Sequence, residues 1–96
     1  MPRLSDAEIQ QALAGMPGWA VEDGEVTRSF KFKDFVEALG FIVQVGTLQE
    51  QMDHHATITN TYSDVNIAIS THSEGDITEK DIELTKKIGT RADAAR

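Results

Sequence analysis

The chain has 96 residues, a formal net charge of −7 and no cysteine, which leaves neither a disulfide framework nor a thiolate metal site. That length fits one domain over residues 1–96, domains running to about 100–150 residues, with a core small enough that association with copies of itself is expected. Nine lysines and arginines without clusters cannot neutralise a row of phosphates, and no run approaches the ~20 apolar residues of a membrane span, so nucleic acid and membrane are excluded as partners.

Met1-Pro2-Arg3-Leu4-Ser5 lacks the apolar stretch of a signal peptide, and a soluble cytoplasmic protein is expected. Ser5-x-x-Glu8 has the form of a capping box, with Leu4 and Ile9 placed for a hydrophobic staple around it. The helix runs to about Ala14, and Gly15 is a natural residue past its end. Trp19 and Val21 alternate, Asp23-Gly24 signals a tight hairpin turn, and Val26, Phe30 and Phe32 share one strand face. Thr27, Ser29, Lys31 and Lys33 fall on the other, wet face.

A second helix is expected over residues 34–52, opened by Asp34-x-x-Glu37. Its polar stripe, Glu37, Gly40, Gln44, Thr47 and Gln51, is narrow. A helix on one sheet needs an apolar face only a little over about 100° wide. The excess here predicts a subunit interface, with Val45 and Leu48 in it, over the alternative that other helices of the same domain cover it.

Ile58, Asn60 and Tyr62 alternate with threonines, and after a Ser63-Asp64 turn Val65, Ile67 and Ile69 alternate with Asn66, Ala68 and Ser70. Continued, that period sets His72 on the face opposite the apolar one. Glu74-Gly75-Asp76 reads as a loop. Ile77-Thr78-x-x-Asp81-Ile82 repeats the cap and staple and opens a last helix to about Gly89, with residues 90–96 a fraying tail. The order αββαββα, strands in antiparallel runs and helices on one face, is an α+β fold.

The three histidines all lie in Asp53-His54-His55 and Ser70-Thr71-His72. Histidine has an ordinary pKa near 6.5 and exchanges protons near neutrality, so three of them with Asp81 make a candidate acid–base site. The plainer alternatives are an imidazolium capping a helix end and Asp81 serving only as a capping residue at N3. A metal is disfavoured because adjacent side chains diverge and leave a poor ligand set.

Glu50-x-x-x-His54-His55, Tyr62, His72 and Asp81 follow one another at spacings that resemble the signature of the pterin-4a-carbinolamine dehydratases. Phe32-Lys33-Asp34-Phe35, Gly40-Phe41, Asn60-x-Tyr62 and Glu79-Lys80-Asp81-Ile82 extend the likeness over nearly the whole chain. The resemblance implies a four-stranded antiparallel sheet with helices on one face, and homodimers that pair into homotetramers through the long helix. The implied reaction is loss of water from 4a-hydroxytetrahydropterin to give quinonoid dihydropterin, in the recycling of tetrahydrobiopterin, with no cofactor and no metal. By resemblance His54 and His72 transfer protons, His55 binds and orients the pterin, and Asp81 holds an imidazole in its tautomer. Asp53, Ser70 and Thr71 would line the pterin pocket with these histidines.

Ala56 stands where the family usually has proline, and Thr57-Ile58-Thr59 lacks the aromatic residue often found there, two departures that bear on the pocket wall. Two rival readings follow. One is a non-catalytic interaction module, since some animal relatives also bind a transcription factor through the tetramer-forming helix. The other is a dehydratase-like protein of another pterin pathway, such as that of molybdopterin.

Overall fold

The structure, a computed structural model, describes residues 2–71 and 76–94. Ser5 caps the first helix, α1 (Asp6–Leu13), by a complete capping box: its hydroxyl accepts the Glu8 N–H at 3.1 Å, and its own N–H donates to Glu8 Oε1 at 2.8 Å. Gly15 does not take the left-handed conformation expected of a glycine past a helix end. A hairpin of β1 (Ala20–Glu22) and β2 (Glu25–Lys31) follows. Its two-residue turn requires positive φ at both positions, which Asp23 (52°) and Gly24 (74°) supply.

The long helix α2 (Phe35–Met52) is capped by Asp34, whose carboxylate accepts the Glu37 N–H at 2.9 Å. Glu37 reaches back one residue further than a capping box needs, to the Lys33 N–H. Next come β3 (Thr57–Thr61), β4 (Asp64–Ile69) and the last helix, α3 (Glu79–Ala94). The β3–β4 turn is Tyr62-Ser63, one residue earlier than expected, with Tyr62 at a φ of 52°.

The sheet order is β1-β2-β4-β3, antiparallel throughout, and the whole is an αββαββα α+β fold. Alternation decides which face is dry. Val26, Phe30, Val65, Ile67 and Ile69 join residues of all three helices in one core, while Ser29, Lys31, Thr57, Thr59, Thr61 and Asn66 lie on the exposed face. The helices therefore cover one side of the sheet only.

Two further expectations change. The last helix runs past Gly89 to Ala94, and Ala92 is fully buried, so residues 90–94 are packed helix where a frayed tail was expected. In α2 the residues turned inward are Ala38, Phe41, Val45, Leu48 and Gln49. Val45 and Leu48 are thus core of the chain itself, and the surplus apolar surface is Phe35, Val36, Leu39 and Val43, with Val36 77% and Val43 66% exposed. The excess exists as expected, but on a different side of the helix. The expected positions of His72, Glu74 and Gly75 lie outside the described residues.

Candidate active site

The site is built where the C-terminus of α2 meets the N-terminus of α3. Asp53 ends α2 in the left-handed region (φ 50°), a conformation that aspartate tolerates better than most side chains. Its N–H bonds the carbonyls of Gln49 and Glu50, and the His54 N–H bonds the Gln49 carbonyl at 3.1 Å. The chain leaves the helix at this point with His54 turned inward and His55 outward, the divergence expected of neighbouring side chains.

His54 is nearly buried, and its Nε2 lies 2.5 Å from Asp81 Oδ1. Asp81 stands at the third position of α3 behind Thr78 and is fully buried. Its other oxygen, Oδ2, accepts the Thr78 N–H at 2.7 Å and the Thr71 hydroxyl at 2.7 Å. The Thr71 and Thr78 hydroxyls lie 2.9 Å apart, and Thr85 donates to the Asp81 carbonyl at 2.7 Å. No buried side-chain polar atom among the described residues lacks a partner. A buried carboxylate is costly unless its lone pairs are used, and here both oxygens are engaged.

An amide N–H can only donate, so Oδ2 is an acceptor; where Asp81 is the carboxylate, Oδ1 accepts as well and His54 carries its proton on Nε2. Its Nδ1 is the nitrogen left to take or give a proton. Capping and orientation coincide in Asp81: the Thr78 N–H bond is one half of a capping box, and the His54 bond uses the other oxygen.

His55 is half-exposed, with Nε2 2.7 Å from Oε1 of an exposed Glu50, a solvent-screened pair that orients more than it stabilises. The backbone of Asp53 turns the chain, and its side chain is exposed. Ser70, half-buried, donates to Glu25 at 3.3 Å. Thr71 is committed to Asp81, a supporting contact that the pocket-lining expectation did not include. Strand β3 separates Tyr62, at the far hairpin turn, from the histidine pair. His72 lies outside the described residues.

Among the described residues no group of three His, Cys, Asp or Glu side chains is placed to hold a metal ion. A cavity of about 490 Å³, lined by Trp19, Arg28, Lys86, Gly89 and Asp93 among others, lies toward the far end of α3 and includes none of the site candidates. Gln49 is absent from the sequence-based candidates, because its place on the inward face of α2 shows only once the helix is packed.

The family model of pterin 4 alpha carbinolamine dehydratase matches residues 2–90. The chain belongs to that family. Proteins of Brucella ovis and Brucella melitensis, provisionally named pterin-4-alpha-carbinolamine dehydratase, are each 42% identical over 92 residues, covering 94% of this chain and 95% of theirs. A crystal structure from Brucella melitensis, described as a transcriptional coactivator/pterin dehydratase, superposes with a TM-score of 0.87 at 41% identity, over 92% of this chain and 96% of that one. A pterin dehydratase-like protein described as a RuBisCO assembly factor in the alpha-carboxysome shares the fold with a TM-score of 0.55 at 19% identity, over 80% of this chain and 84% of that one.

Proposed function

We propose that the chain is a hydro-lyase that dehydrates 4a-hydroxytetrahydrobiopterin in the recycling of tetrahydrobiopterin. The C4a–O bond breaks as the hydroxyl gains a proton, the proton on N5 is lost, C4a=N5 forms, and water and the quinonoid dihydropterin leave. Hydroxide is a poor leaving group, so the step needs an acid on one atom and a base on its neighbour. Two imidazoles near neutrality supply both, each contributing about 10²–10⁴-fold.

The observation that carries this reading is the buried Asp81 bonded to His54 Nε2 at 2.5 Å. It pre-orients the ring, leaves Nδ1 for substrate, and removes the reorganisation that a mobile imidazole would need. His72 is assigned the second proton transfer by the family resemblance, and Asp53, Ser70 and Thr71 are assigned to the pterin pocket on the same ground. His55, tied to Glu50 at the surface, is assigned to binding and orienting the pterin.

A second reading concerns association. Phe35, Val36, Leu39 and Val43 form an exposed apolar strip on α2, and a strip of that kind favours contact with other protein. We assign it to homodimers or homotetramers of this chain. The coactivator role in the description of the Brucella melitensis structure makes a different protein partner the rival.

The test is spectrophotometric: 4a-hydroxytetrahydropterin is generated by a hydroxylase, and its conversion to quinonoid dihydropterin is followed with and without the protein. Acceleration above the spontaneous reaction is expected. A rate that does not change with protein concentration would leave an interaction module.

A further inference from the structure

Four of the five buried residues of α2 are apolar, Ala38, Phe41, Val45 and Leu48, and the fifth, Gln49, is an amide only 6% exposed. An amide placed there costs free energy unless its polar atoms are bonded. Gln49 Oε1 accepts the Ala56 N–H at 2.7 Å. Its backbone carbonyl accepts the N–H groups of Asp53 and His54. One residue therefore receives donors from both sides of His54-His55.

This matters because the segment has no ladder or helix of its own. α2 ends at Met52, β3 begins at Thr57, and Asp53 between them sits in the left-handed region. The backbone bonds to Gln49 hold the start of the segment, as any helix end does. The side-chain bond holds its end, and a residue without an acceptor at this position would leave the Ala56 N–H with no such partner. The His54 ring is gripped at Nε2 by Asp81, so a shift of its backbone would either lengthen that bond or turn the ring.

We propose that Gln49 is a positioning residue for the His54–His55 pair, its side chain fixing through the Ala56 N–H the backbone from which His54 reaches Asp81. The geometric part of this stands alone, and the part concerning turnover rests on the dehydratase reading. Gln49→Met keeps the volume and removes the acceptor, and Gln49→Leu removes it as well.

The experiment compares these proteins with wild type by imidazole ¹H–¹⁵N correlation, amide hydrogen exchange and steady-state kinetics. In wild type His54 shows one tautomer, protonated on Nε2, and the Ala56 amide is protected. In Gln49→Met the His54 ring signals move toward a mixture of tautomers and Ala56 exchanges about tenfold faster or more, while the Trp19 indole signal stays in place. Turnover falls about 10- to 10²-fold with KM within about twofold, and adding Gln49→Met to His54→Ala costs nothing further. Unchanged His54 signals and Ala56 protection in Gln49→Met would overturn the proposal whether or not the protein is an enzyme. Should that variant not fold, Gln49→Leu decides by the same readouts, because unchanged His54 signals and Ala56 protection in it contradict the proposal and shifted ones support it. Shifted signals in a protein whose wild type has no dehydration activity would refute the dehydratase reading and leave Gln49 in its role.

Discussion

Asp81 Oδ1 and His54 Nε2 are 27 residues apart in the chain and 2.5 Å apart in space, and the carboxylate that makes this bond is fully buried. The contact joins the end of one helix to the start of another, and it gives the two neighbouring histidines different partners. His54 faces a buried, fully satisfied carboxylate, whereas His55 faces Glu50 at the surface.

That difference sets the first prediction. His54→Ala and His72→Ala should each lower kcat by about 10²-fold or more with little change in KM. His55→Ala should act mainly through KM, because it removes binding felt equally by substrate and transition state. Steady-state kinetics on the three variants separates the cases. A kcat unchanged in all three would move the chemistry elsewhere.

The second prediction concerns the strip on α2. Val36→Glu or Val43→Glu places a charge on exposed apolar surface, and should leave a folded chain that sediments as a smaller species than wild type. Val45→Glu or Leu48→Glu places it in the core, where an unpaired charge costs several kcal/mol, and should unfold the chain instead. Sedimentation and circular dichroism on the four variants test the assignment. A wild type that sediments at the 10.6 kDa of one chain would sink it.

The two halves of α2 show why part of the fold was legible and part was not. The capping box at Ser5, the Asp34 cap, the Asp23-Gly24 turn and the alternation in β2 and β4 are local signals, and each element they mark is present. The inward face of α2 is not local: it depends on where β4 and α3 pack, so Val45 and Leu48 could be seen as apolar but not as covered. Ala92 makes a related point for α3: it lies four positions after Ile88, on the buried face, but one small residue among Thr90, Arg91 and Asp93 is a weak apolar signal, and only the packed helix shows that it fills the core. At the site, the resemblance pairs Asp81 with an imidazole but does not say which, and that the partner is His54 is visible only once α2 and α3 are docked. The bond from Thr71 to Asp81 is hidden in the sequence for the same reason, since it spans ten positions and a strand end.

A third prediction comes from α1. The Ser5 N–H, and after it the Ser5 hydroxyl, hold the Glu8 carboxyl below its ordinary value of 4.5, against a smaller opposing effect of burial. A group lowered on folding adds stability that is fully present above its unfolded value and is lost as pH falls through its folded value. The stability curve between about pH 3 and pH 6 should therefore be less steep in Glu8→Gln, which still accepts the Ser5 N–H but does not titrate. Urea melts across that range check it, and identical acid limbs would contradict it. The effect is small, because Glu8 is at the surface.

Asp81→Asn in the dehydration assay, run beside a thermal melt, tests the central claim most directly. Asparagine Oδ1 can still accept the Thr78 N–H, so the helix cap survives in part. Its NH₂ group then faces His54 Nε2, donor against donor, and drives the ring to the opposite tautomer, with its proton on Nδ1 where substrate must be met. The expected result is a folded protein with a modestly lower melting temperature and kcat down by about 10²-fold or more. Normal turnover in a protein that merely melts earlier would make Asp81 a helix cap alone, and would contradict the His54–Asp81 pair as the centre of the chemistry.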